Sequence, residues 1–206
     1  MEAARSRFRV RPAPNLYMKL TQIEFKLISE EWSVDQHKRS EGLHVSKIIR
    51  DIDATINRNK FAANDDRDDQ IRQAYFTMGF VWERVILDTV LAGSTVVRCG
   101  EIKKDGVYLT PDAVNMDDWV LEEWKCTWRS TNNDIERDYW SWWAAIKAYL
   151  HALNMDTCIL RVMFVNGDYS KNRYPTPRAW RATFERGELE SHWQKLLEHA
   201  KRKGWL

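Results

Sequence analysis

The chain has 206 residues, 30% charged and 44% hydrophobic, the composition of a soluble globular protein with enough apolar material for one substantial core. No apolar run reaches the roughly 20 residues of a membrane-spanning helix, and no secretory leader opens the chain, so the expected setting is cytoplasmic with no membrane partner. Three widely spaced cysteines, Cys99, Cys126 and Cys158, exclude a disulfide framework, a CxxC metal site and a four-cysteine iron–sulfur cluster.

Residues 1–15 carry Arg5, Arg7, Arg9 and Arg11 and end in Pro12 and Pro14, the pattern of a flexible basic arm ahead of a single domain over 16–206. Residues 16–31 show no clear period and 32–41 are polar. Gly42-Leu43-His44-Val45-Ser46 leads into a helix over 47–58, with Ser46 as its N-cap. Helix N-termini bind phosphate through free N–H groups, so Ser46 is a candidate phosphate contact. After an acidic loop at 64–69, residues 70–91 place apolar side chains at 71, 75, 78, 82, 85, 86 and 89, a helical period that Gly93 ends. This helix holds Gly79 four residues before Glu83. A glycine there costs about 1 kcal/mol against alanine, which predicts a close approach one turn before Glu83.

Val96–Cys99 reads as a short strand. Residues 115–118 are rich in turn formers and fold 108–114 back on 120–127 as a hairpin. Side chains alternate along a strand, so Glu123 and Lys125 share one side, while Glu122 and Trp124 face the other. Asp112, at the Pro111-Asp112 turn, comes beside them. Asp134 caps a helix over 135–153, whose stripe is 139, 142, 143, 146, 150 and 153. Trp140, Lys147 and His151 lie on another face, available to nucleic acid by stacking and charge. A strand over 157–165 and an amphipathic helix over 188–203, with Leu189, Trp193, Leu196, Leu197 and Ala200 inward, complete the chain. This order predicts an α/β fold, a mixed central β-sheet flanked by helices. Net charge is only +2, but Lys171, Arg173, Arg178 and Arg181 cluster, as do Lys201, Arg202 and Lys203, in support of phosphate binding.

Two carboxylates and a lysine on one hairpin suit phosphodiester hydrolysis. Hard divalent cations such as Mg²⁺ or Mn²⁺ take oxygen ligands and acidify bound water, and an ammonium beside them orients that water or stabilises the anionic transition state.

Pro111-Asp112 followed by Glu123-Trp124-Lys125, with the upstream Gly79-x-x-x-Glu83 helix and a downstream helix bearing Tyr149, resembles the PD-(D/E)XK nuclease superfamily in its lambda-exonuclease-like, RecB-like branch. The resemblance spans roughly 70–165 and implies a restriction-endonuclease-like core. It implies that Asp112, Glu123 and Glu83 are metal ligands together with the Trp124 carbonyl, and that Lys125 is the catalytic lysine. Ser46, Thr110 and Tyr149 would lie on the substrate side, joined by Lys147 from the exposed helix face. Glu83 already supplies the ligand that a histidine replaces in some relatives, so His44 reads as structural.

The activity implied is a Mg²⁺- or Mn²⁺-dependent deoxyribonuclease, an exonuclease by branch, in recombination, repair or replication and of phage type, with DNA as substrate. Homo-oligomers and a recombination or replication partner protein are further implications. A structure-specific or nicking endonuclease is the second reading; a DNA-binding derivative that hydrolyses weakly is the third. The family pattern Gln-x-x-x-Tyr is here Ala145-x-x-x-Tyr149, so the glutamine that holds nucleic acid or geometry is replaced by alanine.

Overall fold

A computed structural model describes residues 40–56, 69–171 and 173–206, with side chains left out at 69–76 and at Val90. The expected basic arm at 1–15, the segments 16–39 and the acidic loop at 64–68 lie outside the described residues. Within them the chain runs β1 (Leu43–His44), α1 (Val45–Ile56), α2 (Asp69–Val85), a π-helical turn (Ile86–Val90), β2 (Val96–Arg98), β3 (Ile102–Lys104), β4 (Val107–Leu109), β5 (Ala113–Asn115), β6 (Val120–Thr127), α3 (Trp140–Leu153), β7 (Thr157–Phe164), β8 (Thr176–Thr183) and α4 (Arg186–Arg202).

Five strands form the central sheet in the order β2-β5-β6-β7-β8, and three form a smaller sheet, β1-β4-β3. The central sheet is mixed: β6 and β7 run parallel, while β2/β5, β5/β6 and β7/β8 are antiparallel. The parallel pair needs a crossover, and α3 provides it. The fold is thus α/β with a mixed central sheet flanked by helices, and with the central-sheet strands alone counted the order from α2 to β7 is α-β-β-β-α-β.

Strand alternation explains why both faces are covered. Along β7, Cys158, Leu160, Val162 and Phe164 are buried, and they join Leu121 in a core shared with α1, α3 and α4. The opposite face carries Trp124 and Ala113, which pack with Trp82, Ile86 and Leu91 beneath α2 and its π-turn. Glu122 points to that second face and is fully buried, with Arg161 donating to both its oxygens from Nε at 2.8 Å and Nη2 at 3.0 Å. Breaking such a pair from one side strands a buried charge. Arg161→Ala is therefore expected to cost about 3–5 kcal/mol in urea unfolding, and most of the loss returns when Glu122 is also replaced by leucine.

Several sequence expectations need correction. The stretch 108–114 is not one strand: Val107–Leu109 pairs in the small sheet, Ala113–Asn115 pairs with β6, and Thr110-Pro111-Asp112 links them. Proline has no N–H for a ladder, so the chain changes sheets there. Asp134 does not cap the long helix, because its Oδ1 accepts the N–H groups of Glu136 and Arg137 at 2.9 Å in a local turn and α3 begins only at Trp140. Helix α1 begins at Val45, so Ser46 lies inside its first turn and is not the cap. An added Cβ at Gly79 would meet nothing within 4 Å, so no close approach among the described residues requires that glycine.

Candidate active site

The antiparallel register sets the site. Ala113 pairs with Glu122, so Asp112, one residue earlier, comes beside Glu123. There the Trp124 backbone N–H donates to Asp112 Oδ2 at 2.7 Å and fixes the carboxylate against the strand. Glu123 and Lys125 project together toward α3, as alternation requires, and Lys125 Nζ donates to Glu123 Oε1. The same ammonium lies 3.7 Å from Asp112 Oδ2 and 3.3 Å from the Trp124 carbonyl oxygen. Glu83 reaches in from the last turn of α2, where Arg98 Nη2 donates to its Oε2 at 3.0 Å. Strand β2 brings Arg98 opposite Ala113 and so next to Asp112.

Three carboxylates held this close perturb one another. Burial pushes the Glu123 carboxyl up to about 8, and repulsion from Asp112 adds to it against the pull of Lys125. Glu83 is also raised, first by burial and then by Asp112, with Arg98 and Lys125 opposing. Burial alone would lower Lys125, but Asp112, Glu123 and Tyr149 outweigh it and hold the ammonium charged well above its ordinary range. Cys99 lies in the same field: burial, then Asp112 and Glu123, push its thiol up to about 11.

The sign of the resulting pH dependence follows from Glu123. Its folded value of about 8 exceeds its ordinary 4.5, so between those values the folded protein binds more protons than the unfolded chain. Glu123 therefore contributes stability that is fully present below pH 4.5 and lost as pH rises through about 8. Thermal melting of the metal-free protein should show a falling contribution across that window, and Asp112→Asn should lessen it while leaving the part that burial causes.

Cation binding has a structural opening and a structural obstacle. Glu123 Oε2 is buried without a hydrogen-bond partner, an unused acceptor in a site that repels its own negative charge. Such a donor set of carboxylates and a carbonyl oxygen suits a hard divalent ion. Among the described residues, however, no three His, Cys, Asp or Glu side chains already converge as a ligand group. The reason is visible in the ion pairs: Lys125 occupies the place between Asp112 and Glu123, and Arg98 holds Glu83.

The other expected residues divide. Tyr149 is 8% exposed and near enough to Lys125 to influence its charge. Ala145, one turn earlier on α3, presents only a methyl group. Ser46 and Thr110 leave neighbouring parallel strands at the same end, since Leu43 pairs with Val107 and His44 with Tyr108. Ser46 is exposed and Thr110 half-buried.

Lys147 is elsewhere: it pairs with Glu188 Oε1 at 2.6 Å and lies over the Phe184 ring, on the α4 side of α3. Its neighbours on that expected DNA face are also committed to the protein. Trp140 Nε1 donates to Asp53 at 3.1 Å, and His151 is buried, stacked on Trp193 and bonded to Glu190 at 2.8 Å. On that face His151 is buried, while Trp140 and Lys147 are half-buried and paired within the protein. His44 is held by the Ser40 carbonyl at 2.9 Å, lies 3.7 Å from Glu101 Oε2 and stacks on Tyr108. Sequence reasoning missed Arg98, whose signal emerges only when the β2–β5 register is combined with the phase of α2.

The sequence matches no family model and no curated protein. Solved structures similar in fold include a phage-related exonuclease from Haemophilus somnus 129PT, at 11% identity over 76% of this chain and 79% of that one, with a TM-score of 0.49. LHK-Exo, an alkaline exonuclease from Laribacter hongkongensis, in its complex with dAMP is 13% identical over 79% of this chain and 89% of that one, with a TM-score of 0.46. SSO0001 is 9% identical over 82% and 80%, with a TM-score of 0.45. Likeness at this level leaves the chemistry to be judged from the side chains.

Proposed function

We propose that the protein is a divalent-metal-dependent deoxyribonuclease of the PD-(D/E)XK type, hydrolysing phosphodiester bonds as an exonuclease. The observation that carries this reading is the convergence of Asp112, Glu123 and Lys125 at the β5–β6 register, with Glu83 added from α2. The Asp112 and Glu123 carboxylates would hold Mg²⁺ or Mn²⁺ with the Trp124 carbonyl oxygen, and Glu83 would stand beside them. When bound, that cation supplies an acidified water and a counter-charge for the phosphate.

The chain's own residues carry the remaining roles. The Trp124 N–H fixes the Asp112 carboxylate, so one face of the site is preorganised before substrate arrives. Lys125, kept charged by its neighbours, donates its protons to a phosphate oxygen or to the attacking water once the carboxylates are otherwise neutralised. Glu123 must shed its proton to bind a cation, so cation binding by the metal-free protein should strengthen as pH rises toward about 8. Ser46 and Thr110, at the shared end of β1 and β4, are proposed phosphate contacts for the strand being cut. A role in recombination, repair or replication, in a phage or its host and with a partner protein of that machinery, is the setting this activity fits.

Ala145 favours a second reading, a DNA-binding derivative with weak cleavage, because a methyl group stands where the family pattern has glutamine. One assay separates the readings. Linear duplex DNA and its covalently closed circular form are incubated with Mg²⁺ or Mn²⁺, and products are followed on gels. Loss of the linear form with the circle intact is expected; cutting of the circle indicates an endonuclease, and survival of both indicates the binding module.

A further inference from the structure

Arg98 has a largely open side chain, 40% exposed against 16% for its partner Glu83. It nevertheless lies in a particular place, on β2 opposite Ala113, with one nitrogen on Glu83 and its carbon 5.7 Å from the centre of the Trp124 ring. A guanidinium has five N–H donors in a rigid fork, and Nη2 to Glu83 is the one hydrogen bond it makes among the described residues. The side chain that carries the remaining donors is 40% exposed, beside Glu83 at the edge of the carboxylate cluster.

Charge balance gives that placement a meaning. With the carboxylates ionised, Glu83, Asp112 and Glu123 outweigh Lys125 and Arg98 by one negative charge, which opposes an approaching phosphate. One divalent cation converts this to one positive charge, the complement of a single phosphodiester. Lys125 lies against one oxygen each of Glu123 and Asp112, and Arg98 against one of Glu83, so a cation that draws on those oxygens competes with both.

We propose that Arg98 is a substrate-binding residue held in reserve: it neutralises Glu83 while the site is metal-free, and it passes to a phosphate oxygen of the DNA when a divalent cation takes Glu83. Metal binding and DNA binding are thereby ordered through one side chain. This inference rests on the nuclease reading and deepens it.

The test uses the full chain as wild type, Arg98→Gln and Arg98→Lys. Mn²⁺ affinity is measured by calorimetry without DNA, and binding of a fluorescein-labelled duplex is measured by anisotropy, with Ca²⁺ or with chelator. Arg98→Gln should bind Mn²⁺ severalfold more tightly, because a competing cation is gone, yet bind the duplex about tenfold more weakly in Ca²⁺. In chelator the wild type and Arg98→Gln should agree within about twofold, because Arg98 is then engaged with Glu83. Arg98→Lys, which keeps the charge and loses the fork, should fall between them in Ca²⁺.

Weaker Mn²⁺ binding by Arg98→Gln would overturn the inference and make Arg98 a support for Glu83. Equal loss of duplex binding with and without metal would overturn it too, leaving a plain basic surface. If the wild type binds no Mn²⁺ while the variants melt as it does, the nuclease reading itself falls, and this inference with it.

Discussion

Asp112→Asn is expected to reduce cleavage by at least about a thousandfold while leaving the protein as stable as wild type or more so. The two effects separate because Asp112 has two unlike roles. Its Oδ2 accepts the Trp124 N–H at 2.7 Å, and an asparagine carbonyl oxygen can accept that same bond. Its charge, by contrast, pushes both Glu123 and Glu83 upward, a repulsion the neutral amide removes. Loss of activity with retained or raised melting temperature marks a residue whose charge serves function at a cost to stability. Equal loss of both would mean that Asp112 is a structural turn residue. Rates on an end-labelled duplex and melting curves of the same preparations decide between them.

Lys125→Met is expected to abolish cleavage as well, but with the opposite effect on stability. In the metal-free protein the ammonium is shared between Glu123 and Asp112, and Glu123 is 1% exposed. Removing it leaves a buried carboxylate facing a like charge, a loss on the order of 3–5 kcal/mol if both stay ionised. Glu123 avoids part of that cost by taking a proton, since it is already raised to about 8 and loses its main opposing charge. The deficit should thus be modest near pH 6 and large near pH 9, because a carboxyl with a raised folded value loses its stabilising protonation as pH rises through that value. Mn²⁺ should recover much of the melting temperature at pH 9 without recovering cleavage. A pH-independent deficit would show that Lys125 contributes packing rather than charge.

Much of the site's placement was legible because strand alternation is a strict geometric rule. It put Glu123 and Lys125 on one side and Glu122 on the other, and Glu122 is found paired with Arg161 on the opposite face. Glu83 was singled out by the resemblance, through Gly79-x-x-x-Glu83, and not by a local rule. Other features lay outside what a local pattern can encode. A proline inside an alternating apolar stretch is compatible with one strand or with a crossing between sheets, and only the pairing partners of β4 and β5 distinguish these.

Helix α3 is apolar on nearly all sides, with Ala144, Ile146, Ala148, Tyr149, Leu150 and His151 all buried, so a single stripe could not tell which face met α4. The pairing of Lys147 with Glu188 and of His151 with Glu190 could not be read from the sequence for that reason. An aspartate before a polar turn and an aspartate before a helix look alike in sequence, which moved the start of α3 from 135 to Trp140. Arg98 could not be singled out at all, since its partner Glu83 lies fifteen residues away across a tertiary contact.

The central claim, that Asp112, Glu123 and Lys125 form a metal-dependent phosphodiesterase site, is tested most directly by a side-by-side digestion. An end-labelled linear duplex is incubated with wild type and with Asp112→Asn, each with Mn²⁺ and with chelator, and released nucleotides are counted over time. Release by wild type in Mn²⁺ alone is the predicted result. Release that survives chelator, or that proceeds equally in Asp112→Asn, would contradict it, as would a duplex left intact by wild type in Mn²⁺.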